Sequence, residues 1–436
     1  MAQLKPLAKK GTAPPGSAWS YWLGRIFVAT WIGYAGFYFC RRNIPWTPLP
    51  ATGHAGHSAA DWMSSLAYLL LVFGAGYTAG GVVGGWAADR FGGRRTLLFG
   101  GLLSFLSTAL LMTPAPVALI MLLQVLNGFG QGFGWPALVK LFSVWMPRRQ
   151  LAVGMAWWST SYALGSFLAN ALATALSTVD TFSISTGSRL SIMVPSILLL
   201  ATTLYFYNRV RDFPADAGLV VAEAPTSANG SGWRDVLRNP EIHLLAAFYF
   251  FLKLTRYALL FWLPLYILET QHSHGSSALM LSSLFELTGF LGALAASYAS
   301  ERWFGARRYP VGAIMLFLAA FVFLLHPVVS TAGAVATGIS ISLIGILIFG
   351  PDVLMSTIAV IEAVPPAEAG RGSGYVNAVG SLGQMISPVL VAFLSHMFGW
   401  NSVFTLFVVC SLIAAALLAT RWNGVRAEDD LAAQYI

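Results

Sequence analysis

Residues 84–95 read GGWAADRFGGRR. An apolar run enters this stretch and another leaves it, so it reads as a short loop between two membrane spans. Arg90, Arg94 and Arg95 are the kind of residues that hold a loop on one side of a bilayer. A loop that only set topology would explain the arginines but not the glycines or the acid. Gly85 lets neighbouring helices approach closely. Asp89 can accept charge-assisted hydrogen bonds from the arginines or cap a helix N-terminus. Gly92 completes the pattern.

The rest of the chain fits this reading. It has 436 residues, 57% hydrophobic and 10% charged, against about 25% charged in soluble proteins. Mean hydropathy is +0.69. These values describe an integral membrane protein. The 14% aromatic share suits interfacial belts of Trp and Tyr. The net charge of +8 does not point to nucleic acid, because the basic residues lie in short loops between apolar segments. Cys40 and Cys410 lie far apart in apolar segments and read as free thiols. Neither a disulfide framework nor a metal-ligand spacing is evident. The pairs His54–His57 and His272–His274 lack a third ligand and read as loop residues. No cofactor is expected, and no cleavable signal peptide is evident.

At about 20 apolar residues per crossing, the chain holds about twelve spans. They fall near 20–44, 63–88, 95–114, 116–142, 151–177 and 189–208, then near 242–268, 276–300, 309–326, 332–362, 370–396 and 401–420. Segment 1–19 is read as an N-terminal tail, 20–208 as a six-helix half, 209–241 as a linker, 242–420 as a second six-helix half and 421–436 as a C-terminal tail. The linker contains APTSANGSG, and WRDVLRNPEI after it reads as a short interfacial helix. The loops on the N-terminal side carry Arg90, Arg94, Arg95, Arg148, Arg149, Arg209, Arg211, Arg302, Arg307 and Arg308. The positive-inside rule therefore puts both termini in the cytoplasm.

Two arginines sit where arginine is expensive. Arg41 is deep in the first span and Arg256 is in the middle of the seventh. A guanidinium at bilayer depth costs roughly 2.5–3.5 kcal/mol on insertion scales. Arg41 lies 48 residues before Asp89, and Arg256 lies 45 before Glu301, the acid of a degenerate second loop, SYASERWFGARR. One cation per half facing a central cavity suggests a clamp for a doubly charged substrate. Tyr34, Tyr38 and Arg41 recur at helical spacing and share one face. Arg256 is followed by Tyr257. Glu286 and Asp352 are acids at membrane depth. Each can be a proton relay, an arginine partner or a contact for a cationic substrate group. Pairing with a basic residue is favoured for Glu286, and the plain structural reading of Asp352 is a pairing with Lys253 or a backbone group. The glycines Gly128, Gly130, Gly132 and Gly134 lie within a span and read as helix packing.

GGWAADRFGGRR resembles the signature loop of the major facilitator superfamily. GYAGFYFCRRN (33–43), GFGWPALVK (132–140), RYALLFW (256–262), FELTGFLGALAASYASER (285–302) and IFGPDVLMSTIAVIE (348–362) resemble the organophosphate:phosphate antiporter family within it. That family includes glycerol-3-phosphate and hexose-phosphate transporters, a hexose-phosphate sensor and glucose-6-phosphate translocase. The resemblance implies an all-α, twelve-helix fold, two six-helix halves around a central cavity. It also implies phosphate binding by Arg41 and Arg256, with Lys140 as a further basic residue of the family pattern. Trp157, Trp158 and Ser161 fall on the fifth-helix motif. There WWSTSYALG replaces the pattern of the glycerol-3-phosphate members: Ser161 stands for its histidine, and Trp158 and Tyr162 for its asparagines. Phe261 stands where those members have an aspartate. These departures point toward a bulkier ester such as a sugar phosphate.

The expectation is a non-enzymatic, monomeric antiporter in a bacterial inner membrane. It would exchange an organic phosphate for inorganic phosphate, with no partner beyond these small molecules and the lipid bilayer. Two alternatives stay open, a sugar-phosphate receptor and a proton-coupled transporter of another anion or a drug.

Overall fold

The computed structural model describes residues 17–42, 59–113, 116–179, 184–219, 232–271 and 275–423. The described backbone is helical, with no strand among the described residues. The first half contains α1 (Ser17–Arg42), α2 (Ala59–Phe91), α3 (Gly93–Leu110), α4 (Val117–Gly132), α5 (Gly134–Trp145), α6 (Arg148–Trp158), α7 (Thr160–Val179) and α8 (Ile184–Arg209). The second contains α9 (Trp233–Arg238), α10 (Pro240–Gln271), α11 (Gly275–Arg302), α12 (Arg308–Val329), α13 (Ala334–Val353), α14 (Val360–Ala363), α15 (Ala369–Phe398) and α16 (Trp400–Ala419).

Several of these helices run end to end. α4 and α5 meet at Phe133 and α6 and α7 at Ser159, and both junction residues keep helical dihedrals. A π-helical segment, Leu354–Ala359, joins α13 to α14. With α9 as a short lead-in to α10, this makes twelve crossings. Among the described residues, nine are long and apolar enough to span a membrane by composition alone. The other three crossings are α3, α6–α7 and α8. Large apolar side chains such as Phe99, Phe317, Phe321 and Leu324 point outward and are exposed. Water would not tolerate such a surface, but lipid does. The chain is an integral, multi-pass membrane protein.

Glycine sets how closely the helices pack. A Cβ on Gly76 would lie 2.1 Å from Val125 O, and one on Gly128 would lie 2.1 Å from Phe73 O. The backbones of α2 and α4 therefore touch, a contact that only small residues allow. The same device joins the halves. Gly81 and Gly85 of α2 face Gly370 and Gly374 of α15, and a Cβ on Gly85 would lie 2.6 Å from Gly370 O.

The loop after α2 depends on Gly92. Its φ of 87° suits only glycine, and a Cβ there would strike the Asp212 carboxylate at 2.4 Å. Asp212 accepts the Arg94 backbone N–H at 2.8 Å. Burial pushes its carboxyl up from the usual range, and that hydrogen bond pulls partly back. Within the linker, Trp233–Arg238 forms the expected short helix, while 220–231 lie outside the described residues. Cys40 and Cys410 are buried free thiols. His54, His57, His272 and His274 also lie outside the described residues.

Candidate functional site

The residues singled out by sequence fall mainly at a cavity at the junction of the halves and in a cluster around Asp89.

The α1 stripe supplies one wall of the cavity. Tyr34 and Tyr38 pack edge to face at 5.9 Å, and the Arg41 guanidinium lies 4.6 Å from the Tyr38 ring and 5.2 Å from Tyr77 of α2. Arg41 itself stands behind these rings rather than in the lining. It is 2% exposed, and its Nε donates to Gln131 Oε1 of α4 at 2.8 Å. Gln131 in turn donates to Phe37 O at 3.2 Å, which fixes its orientation. Arg41 Nη2 is buried without a partner among the described residues.

α10 supplies the facing wall. Tyr249, Lys253, Arg256 and Tyr257 recur at intervals of four, three and one, so one helix face carries all four into the lining. Arg256 Nη1 donates a short charge-assisted hydrogen bond to Asp352 Oδ2. Its guanidinium also lies 4.2 Å from the Phe349 ring and 5.1 Å from Tyr162. Asp352 is placed by an irregular helix. Pro351 removes a backbone donor, and the π segment begins three residues later, at Leu354. Lys253 Nζ donates to Asn377 Oδ1 at 2.7 Å and Ser381 Oγ at 2.9 Å, both on α15. Trp135 and six tyrosines complete the lining, and the space left is about 10 Å³. That is roughly the room of one water.

Several expectations need correction. Arg256 does not stand unneutralised, because at low dielectric it holds a carboxylate. Asp352 pairs with that arginine and not with Lys253. The adjacent tryptophans present no ring to the cavity. Trp157 is 50% exposed on the outer surface. Trp158, one helical step round, is fully buried behind Tyr34, with its indole N–H on Thr30 Oγ1 at 3.1 Å. Ser161 is buried with an unpaired hydroxyl outside the lining. Tyr162, four residues beyond Trp158, does line the cavity. Glu286 is buried outside the lining and accepts from Ser166 Oγ at 2.6 Å.

Lys140 stands apart from the cavity as well. Its ammonium lies 2.9 Å from Asp89 Oδ1 and donates to Pro366 O at 2.7 Å. Asp89 reaches across the seam, accepting the backbone N–H groups of Gly370 at 3.0 Å and Arg371 at 2.9 Å. These are orphan donors of the first turn of α15, so a first-half carboxylate caps a second-half helix. Arg90 and Arg95 are exposed, while Arg94 donates to Tyr207 O at 2.7 Å. The corresponding acid, Glu301, pairs with Arg308 of its own half at 2.6 Å. The two loops are thus similar in sequence and different in use.

Sequence reasoning missed Tyr77, Gln131 and Asn377, and it saw Lys253 only as a partner for Asp352. For Lys253 a signal existed, one turn before Arg256 on the same face. For the other three none did, since their meaning lies in what they face.

The family model described as Major Facilitator Superfamily matches residues 26–377 and 353–431. The glycerol-3-phosphate transporter of Bacillus subtilis (strain 168) is 24% identical over 425 residues, covering 93% of each chain. A probable hexose phosphate transport protein of Chlamydia trachomatis is 25% identical over 438 residues, covering 93% of this chain and 92% of that one. Among solved structures, the proton:xylose symporter XylE superposes with a TM-score of 0.75 at 15% identity, covering 93% of this chain and 96% of that chain. At that identity the likeness concerns the fold alone.

Proposed function

The chain belongs to the Major Facilitator Superfamily, and from that premise we propose that it is a secondary transporter exchanging an organic phosphate ester for inorganic phosphate. The observation that carries the reading is the charge of the cavity region. Arg41, Lys253 and Arg256 are all buried there, and Asp352 is the one carboxylate among the described residues that line the cavity. Low dielectric makes such an excess costly unless an anion answers it. A guanidinium or ammonium held among tyrosine hydroxyls suits the several oxygens of a phosphate. Both relatives named above are named for phosphate esters.

Transport follows from differential affinity. A phosphate bridging cations of the two halves neutralises their repulsion and favours closure around it. The Asp89 cluster, which ties α2 and α5 to α15, must open before substrate leaves at that end. We read that end and both termini as cytoplasmic, in a bacterial inner membrane, and the basic loops there support the orientation by the positive-inside rule. The carrier works as a monomer, with one cavity between its two halves.

The test is exchange in proteoliposomes loaded with phosphate. Labelled phosphate should enter, and hexose phosphates should compete better than glycerol-3-phosphate, because the six lining tyrosines offer ring faces and hydroxyls to a sugar. Tight binding with no exchange would favour a receptor instead. Stronger competition by glycerol-3-phosphate would overturn the substrate assignment.

A further inference from the structure

Three cations surround the cavity, but they are not equivalent. Arg256 is ion-paired with Asp352. Arg41 meets only the neutral amide of Gln131 and the rings of Tyr38 and Tyr77. Lys253 is 2% exposed, and its two hydrogen-bond acceptors, Asn377 and Ser381, are also neutral. Its nitrogen lies 4.9, 5.1 and 5.7 Å from the rings of Tyr249, Tyr77 and Tyr257. Among the described residues, no carboxylate is within ion-pair distance of Lys253 or Arg41.

We infer that Lys253, opposite Arg41, is the second cation that holds the substrate phosphate, and that this pair makes the site select dianions over monoanions. The inference rests on the phosphate-exchange reading above and names the residue that sets its charge selectivity. The two groups approach the same ring. Tyr77 has the Arg41 guanidinium at 5.2 Å and the Lys253 ammonium at 5.1 Å. One group comes from each half, so an ion between them joins the halves. Unused donors lie at both ends. Arg41 Nη2 is buried without an acceptor, and so is Asn377 Nδ2, on the side chain that accepts from Lys253. A tetrahedral oxyanion supplies acceptors to both. Two uncompensated positive charges match a phosphate monoester or inorganic phosphate in its dianionic form. They exceed the charge of a phosphodiester. Asp352 stays with Arg256 and fixes that guanidinium in place.

The competing explanation is that Lys253 merely ties α10 to α15. A tie affects stability but not charge selectivity, so the two separate experimentally. Competition against labelled phosphate exchange would be measured with methyl phosphate, a monoester, and dimethyl phosphate, a monoanion, at pH 8. The wild type should prefer methyl phosphate strongly. Lys253→Gln should weaken methyl phosphate about thirtyfold or more and dimethyl phosphate less than about threefold, so that the preference collapses. Asn377→Asp keeps the lysine and its packing but sets a carboxylate against the ammonium. It should reproduce the collapse, and it decides the matter if Lys253→Gln does not fold. Wild-type preference in either folded variant overturns the inference. Absence of phosphate exchange in the wild type overturns the underlying function, and the inference with it.

Discussion

Arg256 brings its own carboxylate, and Arg41 does not, so their removal should read out differently. Truncating Arg41 takes a cation from a polar site. Arg41→Ala should cost about 2–5 kcal/mol of phosphate binding while the protein stays folded. Arg41→Lys should also bind poorly, because the planar fork that meets Gln131 and an oxyanion together is lost. Truncating Arg256 leaves Asp352 as a buried, unpaired charge. Arg256→Ala should therefore lower thermal stability by about 3–5 kcal/mol as well as binding. In Arg256→Ala/Asp352→Asn the stability should recover, and phosphate binding with it, because Arg41 and Lys253 remain and no unpaired carboxylate is left beside them. Melting curves and exchange rates on the same preparations check this. Near-normal exchange in Arg41→Ala would remove the arginine from the site.

At the scale of elements, α2 and α15 form the seam between the halves. Their glycines bring backbone to backbone, and Asp89 then reaches the N-terminus of α15. Gly374 is the tightest point of this contact, since its Cβ would lie 2.5 Å from Gly81 O. A backbone oxygen cannot move aside as a side chain can. Gly374→Ala should therefore hold the seam open at the Asp89 end. A reporter cysteine at Ser373, buried in the wild type, should then react with an impermeant maleimide from that side. Unchanged labelling would mean that the seam absorbs the methyl group. Asp89→Asn keeps an acceptor for α15 but loses the charge that attracts the helix dipole and Lys140. Turnover should fall about tenfold with less than about a threefold change in KM, because the residue acts on the equilibrium between open states. A large rise in KM at unchanged turnover would place Asp89 in the substrate site.

For the whole molecule, charge balance between the halves governs coupling. On the proposed reading a phosphate dianion answers Arg41 and Lys253, which have no carboxylate within ion-pair distance among the described residues, and exchange needs no proton. Phosphate–phosphate exchange in loaded vesicles should continue in the presence of a protonophore. Phosphate-free vesicles should take up little, since the unliganded carrier keeps its cations apart. Robust uptake into such vesicles under an inward proton gradient, abolished by Asp352→Asn or Glu286→Gln, would replace exchange with proton symport.

The sequence by itself determined the membrane class, the twelve crossings and the two halves, and it drew attention to the loop at residues 84–95. Hydropathy, charge in loops and small-residue spacing are local properties, and the bilayer acts on them segment by segment. It also singled out Arg41, Arg256 and the face carrying Tyr34 and Tyr38, because a cation at bilayer depth is costly wherever it lies. Only the tertiary structure decided who meets whom. Lys140, grouped by sequence with the phosphate ligands, sits at the Asp89 cluster. Of the two adjacent tryptophans, one is half exposed at the surface and the other packs behind Tyr34. Asp352 holds Arg256, and Lys253 is left among neutral partners. These outcomes depend on the rotation of each helix about its axis and on the π segment in the tenth crossing. Both are set by packing between segments distant in sequence, and no local pattern encodes them.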